Sequence, residues 1–202
     1  MSSQNIFPIN DRFVTRQKKE ISFGHRGGVY WLCGLSGSGK STLAISLEKF
    51  LFEKNCHSIV LDGDNLRSGI CNDLGFSMED RKENVRRVSE AAKLMASNGY
   101  IAIVSLISPT KEVRSLAKKI IGEVDYFEIF IKSTFEKCHE RDVKGLYADS
   151  ESGKITSFTG KDSVFEDPTT PWMVIDTEHE TIANSVSKIC DAVYNQCSKP
   201  NT

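Results

Sequence analysis

Short, nearly continuous apolar runs alternate along this chain with longer stretches whose apolar residues recur every three to four positions. The runs Val29–Cys33, Ser58–Leu61, Ile101–Ile107, Phe127–Ile131 and Trp172–Ile175 are rich in β-branched and aromatic residues, the composition of strands buried on both faces. Between them Leu43, Ala44, Leu47 and Leu51 keep helical spacing. So do Val85, Val88, Ala92 and Met95 within a helix expected over Glu79–Asn98, then Val113, Leu116, Ala117 and Ile120, and last Ile182, Val186, Ile189 and Val193. Strand and helix in alternation predict an α/β fold, with right-handed crossovers, a parallel sheet flanked by helices and a ligand crevice at the strands' C-terminal ends.

The polar clusters fall where that crevice would lie. The first strand runs into Gly34-Leu35-Ser36-Gly37-Ser38-Gly39-Lys40-Ser41, followed by Thr42. This is the G-x-x-x-x-G-K-S pattern of a phosphate-binding loop, placed between a strand and a helix as that reading requires. Glycines let successive N–H groups turn toward phosphate oxygens, Lys40 has the reach for the β and γ phosphates, and the Ser41 hydroxyl suits a magnesium ion. The second strand ends in Asp62-Gly63-Asp64-Asn65-Leu66-Arg67 and the third in Ser105-Leu106-Ile107-Ser108-Pro109. Asp-Gly-Asp is by itself as compatible with a tight turn as with chemistry. Beside a phosphate loop its two carboxylates suit a division of labour, one organising the ion and its water shell and the other accepting a proton.

Within Glu79–Asn98, Arg81 and Asn84 lie three apart, away from the apolar stripe, and can address one ligand together, whereas Glu83 and Arg87 have the spacing of a surface ion pair. Phe76, between Gly75 and Ser77, either caps a small apolar cluster or stacks on a base. From Arg141 to Pro168 periodicity fades into glycines, serines and charges. A connection of that length reads as a lid over nucleotides, with Arg141 and Lys144 bringing positive charge and Phe158 an aromatic face; an ordinary exposed loop is the alternative.

Composition narrows the partners. With 202 residues the chain suits one domain with its own core, and its formal net charge of −1 argues against a surface devoted to nucleic acid. No apolar run has the length of a membrane span and the first twenty residues lack the apolar core of a secretory signal, so a cytoplasmic protein is expected. The six cysteines show no C-x-x-C spacing and read as reduced structural thiols.

Taken together, GLSGSGKST, LDGDNLR, DLGFSMEDRKENVRR, ISP, RDVKGLY and FTG, in this order and at these intervals, resemble the adenylylsulfate kinase (APS kinase) family in its stand-alone form. The resemblance runs from about Arg12 to the final helix. It implies a P-loop kinase fold with a five-stranded parallel core, an N-terminal extension over residues 1–25 and a kinase domain over 26–202 with its lid at about 141–168. The implied reaction transfers the ATP γ-phosphate to the 3′-hydroxyl of adenosine 5′-phosphosulfate, with Mg2+ as cofactor. Gly34 to Thr42 and Arg141 would serve ATP, and Ser41 and Asp62 the metal. The acceptor would meet Asp62, Gly63, Asp64, Asn65, Arg67, Phe76, Arg81, Asn84, Ile107, Ser108, Lys144, Gly145, Leu146 and Phe158, with Phe76 and Phe158 sandwiching adenine. Lys40, Asp62, Asp64 and Ser108 would carry the chemistry, and a homodimer is expected.

Ser108 has two readings. The family assigns this serine in some bacterial members as a phosphorylated intermediate, while serine followed by proline before a helix reads as an N-cap with proline at N1, or as a ligand contact. The segment also departs from the family's commonest pattern at Ser68-Gly69-Ile70-Cys71, Thr110, Lys161 and Val164-Phe165-Glu166, which puts the rim of the acceptor pocket in question. Two alternatives to the kinase reaction are a relative acting on another nucleotide, such as cytidine diphosphoramidate, and a non-catalytic nucleotide-dependent switch.

Overall fold

The structure, a computed structural model, describes residues 7–142, 145, 147 and 164–198. Five parallel strands, β1 (Gly28–Cys33), β2 (Ser58–Asp62), β3 (Ile101–Ser105), β4 (Tyr126–Lys132) and β5 (Met173–Asp176), form one sheet in the order β2-β3-β1-β4-β5. The chain leaves the central β1 for β2 and β3 on one side, then crosses to β4 and β5 on the other. The order therefore reverses at β1, and the C-terminal edge there is where such sheets bind ligands.

Each apolar run expected as a strand is one, and β1 shows why alternation is lost. Val29, Trp31 and Cys33 join one core with Ala102 and Val104, while Tyr30 and Leu32 join the other with Ile101 and Ile103. The first core is closed by α4 (Met78–Ala96) and α5 (Lys111–Ile121) through Val85, Val88, Ala92, Val113 and Ala117; the second by α2 (Lys40–Glu53) and α7 (Ile182–Cys197) through Leu43, Leu47, Leu51, Ile189 and Val193. Helix starts follow local chemistry. Ser77, Thr110 and Thr181 each accept a hydrogen bond from the N–H three residues on, satisfying one of the donors that a helix N-terminus leaves open.

Among the described residues, three further α-helices lie outside the periodic segments: α1 (Arg16–Phe23), the short α3 (Gly63–Arg67) and α6 (Phe135–Arg141). α1 belongs to the expected N-terminal extension and has no strong apolar stripe. Charge holds it instead. Arg16 bonds both oxygens of Asp125 at 2.5 and 2.8 Å and the Gly27 carbonyl at 2.8 Å, and the buried Glu20 accepts from Arg16 Nε at 2.7 Å and Gly27 N–H at 2.9 Å. The six cysteines are free and buried. Burial pushes the thiol pKa of Cys33 up to about 12, which agrees with structural thiols. Among the described residues no helix is long and apolar enough to cross a membrane.

Candidate active site

The loop between β1 and α2 approaches its neighbours too closely for side chains. A Cβ on Gly34 would lie 2.4 Å from the Ile131 carbonyl oxygen, and Gly39, the N-cap of α2, takes φ 102°, which favours glycine. Lys40 opens the helix, and its buried Nζ donates to the carbonyls of Gly34 at 2.9 Å and Leu35 at 2.6 Å, folding the loop around its own ammonium group. Outside, three elements brace the loop. Thr177, just after β5, donates from Oγ1 to the Ser38 carbonyl at 2.9 Å. Arg141 at the end of α6 donates to the Thr177 carbonyl at 2.6 Å and, more weakly, to that of Gly37 at 3.5 Å. The Tyr147 hydroxyl donates to the Ser36 carbonyl at 2.8 Å. With its carbonyls so occupied, the loop presents N–H groups at the positive end of α2, an arrangement that binds anions. The Ser38 Oγ is buried and has no hydrogen-bond partner among the described residues.

The phosphate loop meets the carboxylates at Ser41. Its Oγ donates to Asp62 Oδ2 at 2.9 Å and lies 3.5 Å from Ser105 Oγ, while Asp62 Oδ1 accepts the Asp64 N–H at 3.1 Å and caps α3. The Asp-Gly-Asp segment is therefore the start of a helix rather than a tight turn. Asp62 looks back toward the phosphate loop, and Asp64 sits one residue into the helix on the exposed side. A hydroxyl and a carboxylate meeting at the sheet edge form a hard, oxygen-only donor pair, which fits Mg2+ held mainly by substrate phosphates. No cluster of three or more His, Cys, Asp or Glu able to hold a metal occurs among the described residues.

Two of the expected acceptor residues, Arg67 and Arg81, lie against a third, Phe76. This ring is 59% exposed, with the Arg67 guanidinium 4.4 Å and that of Arg81 5.8 Å from its centre. Arg67 is oriented by the carbonyls of Leu74 and Gly75 at 3.1 and 2.7 Å, and Arg81 by that of Phe76 at 3.0 Å. Burial, and after it the charge of Arg67, lowers the Arg81 pKa. Two cations held this close around one aromatic ring form a site in which an anion is stabilising. One helical turn on, Asn84 is 5% exposed, and its buried Oδ1 has no hydrogen-bond partner among the described residues. A buried amide oxygen without a donor is costly and is a place for a ligand's hydrogen bond. Glu83 and Arg87 pair at 2.9 Å, as their spacing suggests.

Ser108 is not an N-cap. Thr110 caps α5, its Oγ1 accepting from Val113 N–H at 3.3 Å, so Pro109 stands before the helix rather than at N1. Ser108 takes φ 48°, a left-handed conformation rare outside glycine, and its buried Oγ accepts a hydrogen bond from Trp31 Nε1 at 2.9 Å. The tie between serine and core aromatic, together with helix initiation two residues later, displaces the Ser-Pro pattern from the role it suggests. Ile107 joins this turn to the phosphate loop, its carbonyl accepting from Gly34 N–H at 3.3 Å.

Lys144, Leu146 and Phe158, with most of the expected lid, lie outside the described residues. A Cβ on Gly63 would lie 2.9 Å from Leu106 Cδ2, the Asn65 carbonyl accepts from Ser68 Oγ at 2.8 Å, and Gly145 N–H donates to the Asp142 carbonyl at 3.0 Å. Thr177 and Tyr147, which brace the phosphate loop, are residues that sequence reasoning missed. Only Tyr147 left a trace, as the last letter of RDVKGLY.

Comparison with known proteins identifies the family. The model of the Adenylylsulphate kinase family matches residues 26–176. An adenylyl-sulfate kinase of Phocaeicola vulgatus is 47% identical over 193 residues, covering 96% of this chain and 95% of that protein; one from Bacteroides thetaiotaomicron is 45% identical over 195, covering 96% and 97%. The structure of the Mycobacterium tuberculosis APS kinase CysC in complex with AMPPNP and APS matches with a TM-score of 0.80 at 44% identity, covering 83% of this chain and 98% of that one. A hexameric APS kinase from Thiobacillus denitrificans matches with a TM-score of 0.64 at 28% identity, over 85% of this chain and 29% of its own.

Proposed function

The chain belongs to the adenylylsulphate kinase family and has that family's ATP-dependent kinase activity, and we propose from that premise how its own residues divide the work. The reaction moves the ATP γ-phosphate to the 3′-hydroxyl of adenosine 5′-phosphosulfate, giving 3′-phosphoadenylyl sulfate and ADP. The observation that carries the assignment is the contact of Ser41 Oγ with Asp62 Oδ2 at the foot of the phosphate loop. It ties the ATP-binding motif to the Asp-Gly-Asp segment expected at the acceptor.

On the donor side, the loop from Gly34 to Thr42 holds the ATP phosphates and Lys40 turns its ammonium group from loop carbonyls to the transferring phosphoryl group. Phosphoryl transfer asks the protein chiefly for positioning and positive charge. Ser41 and Asp62 would hold Mg2+, which when bound supplies charge neutralisation between the phosphates. On the acceptor side, Arg67 and Arg81 take the phosphosulfate, Asn84 offers its unpartnered oxygen to a nucleoside N–H or O–H, and Phe76 stacks on adenine. Asp64, beside Asp62 but outside its bond to Ser41, accepts the proton of the 3′-hydroxyl. Ser108 contacts the acceptor through its turn, and its Oγ stays with Trp31. By motif match alone, Phe158 closes the adenine sandwich and Lys144 adds positive charge from the 141–168 lid, with Arg141 serving ATP. A cytoplasmic homodimer fits the exposed Phe7, Phe13, Val14 and Ile21 of the N-terminal segment, which a second copy would cover.

Coupled detection of ADP release tests the reading. With ATP and Mg2+, release should depend on added adenosine 5′-phosphosulfate and yield the 3′-phosphorylated nucleotide by mass spectrometry. Release that responds to cytidine diphosphoramidate instead, or to no acceptor, would assign the chain to another nucleotide or to a switch.

A further inference from the structure

Arg114 is buried, 3% exposed, in the first turn of α5. That is an unfavourable place for a cation. The N-terminal end of a helix carries partial positive charge, and a guanidinium inside a protein loses its hydration. Its nearest carboxylate, Glu128, approaches Nε only to 3.8 Å and is shared with the Tyr126 hydroxyl at 3.0 Å. The closer bonds go to backbone. Nη1 donates to the Ser108 carbonyl at 2.8 Å and Nη2 to the Glu166 carbonyl at 2.6 Å. Glu166 completes a ring of contacts, its N–H donating to the Pro109 carbonyl at 2.8 Å and its carboxylate accepting the Lys111 N–H at 2.6 Å, at the start of α5. Phe165 stacks on Phe130 with centroids 5.9 Å apart and lies 5.7 Å from the Arg114 guanidinium.

These bonds converge on a strained residue. Non-glycine residues in the left-handed region persist where their surroundings over-determine them, and Ser108 is held at its side chain by Trp31 and at its carbonyl by Arg114. From this turn one bond runs to the phosphate loop, Gly34 N–H to the Ile107 carbonyl. We propose that Arg114 and Glu166 are positioning residues for phosphoryl transfer, a clamp that fixes the strained Ile107–Ser108–Pro109 turn between the phosphate loop and the acceptor. The clamp acts on alignment of the two substrates rather than on affinity for ATP. It rests on the reading of Ser108's turn as part of the acceptor site.

The test measures kcat, the KM for adenosine 5′-phosphosulfate and ATP affinity for wild type, Arg114→Met, Arg114→Lys, Glu166→Ala and Glu166→Gln, with thermal melting of each. Arg114→Met keeps chain length and packing but donates no hydrogen bond. Its kcat should fall roughly ten- to a hundredfold, the scale of a small misplacement of reacting groups, with ATP affinity within about twofold. Lysine should not rescue it, because one ammonium group cannot reproduce the guanidinium fork toward two carbonyls. At the exposed Glu166, alanine should lower kcat about three- to tenfold, and glutamine, which keeps an acceptor for Lys111 N–H, should restore most of it. A merely structural role would lower the melting temperature and leave kcat of the folded enzyme unchanged; that result overturns the clamp. If Arg114→Met does not fold, the Glu166 pair decides alone: a loss in alanine recovered in glutamine supports the clamp, and wild-type kcat in both overturns it. A wild-type protein inactive toward adenosine 5′-phosphosulfate would instead defeat the functional reading itself, so the two failures are distinguishable.

Discussion

The two halves of the candidate site are built differently. Around the phosphate loop, polar groups are largely occupied by the protein: Lys40 by the Gly34 and Leu35 carbonyls, Thr177 by that of Ser38, and Tyr147 by that of Ser36. Around Phe76, an exposed ring lies beside two guanidinium groups that backbone carbonyls orient, and the buried Asn84 Oδ1 has no hydrogen-bond partner among the described residues. The donor half is braced by contacts within the protein, whereas on the proposed reading the acceptor half is completed by its substrate. ATP and its analogues share one triphosphate geometry, which a preformed cradle of N–H groups can match in advance. Selecting one acceptor depends on contacts that a wrong nucleotide leaves unmade, and unmade polar contacts are what make selection strong.

The seam between the halves carries the largest expected effect. The Asp62 carboxylate accepts the Asp64 N–H, yet the two carboxylates face different neighbours, and replacing either by Asn should lower kcat by roughly 10² to 10⁴, the worth of a positioned acid or base. Phosphoryl transfer in which the acceptor's proton leaves late places the loss toward the lower end. Folding should change little, since both groups are at least partly exposed. Steady-state turnover at saturating Mg2+ is the measurement. Near-normal rates in both variants would mean that the seam is only a capped helix start and that the halves meet elsewhere.

Next in size are the acceptor contacts. Arg81→Ala should weaken acceptor binding by about 1.5 to 3 kcal/mol, the range for hydrogen bonds to charged groups, or roughly ten- to a hundredfold. Phe76→Ala should cost about 1 to 3 kcal/mol through lost stacking, by analogy with bases on aromatic platforms. Calorimetric titration of each variant with ADP and with adenosine 5′-phosphosulfate separates the halves. ADP affinity should hold while acceptor affinity falls. Parallel losses of both would break the comparison and show that α4 supports the whole site.

What the sequence revealed follows the same division between regular and idiosyncratic contacts. The strands were legible because apolar runs on both faces of a parallel sheet leave no alternation, and the phosphate loop because its glycines, Lys40 and Ser41 must stand in fixed order. Arg81 and Asn84 could be paired because helix geometry alone brings residues three apart together. α1 was hidden: its sequence RQKKEISF has little apolar stripe, and Arg16 finds Asp125 across 109 positions. Of the readings of Ser108, the N-cap fails because Ser-Pro is a local signal, while Trp31 holds the serine through a contact 77 positions away. Thr177 was invisible for the same reason, lying 139 positions from the Ser38 carbonyl that it bonds.

Thr177 gives the smallest of the expected effects and the sharpest test of the braced half. Its hydroxyl donates to Ser38 and accepts from Arg141 Nη1 at 3.3 Å, so it stands between α6 and the loop. Thr177→Val keeps the branched shape and removes the hydroxyl, leaving the Ser38 carbonyl without that donor. A typical net hydrogen bond contributes about 0.5 to 1.5 kcal/mol, so ADP and ATP affinity should fall about two- to tenfold. Acceptor affinity, measured in the absence of donor nucleotide, should not move. Arg141→Lys should produce a loss in the same direction, because a single ammonium group replaces a fork that reaches both Thr177 and Gly37. If Thr177→Val leaves nucleotide affinity untouched, the cradle's shape comes from glycine conformations and the Lys40 bonds alone. If it weakens the acceptor as much as ATP, the loop and the Phe76 pocket are one mechanical unit and the division between the halves fails.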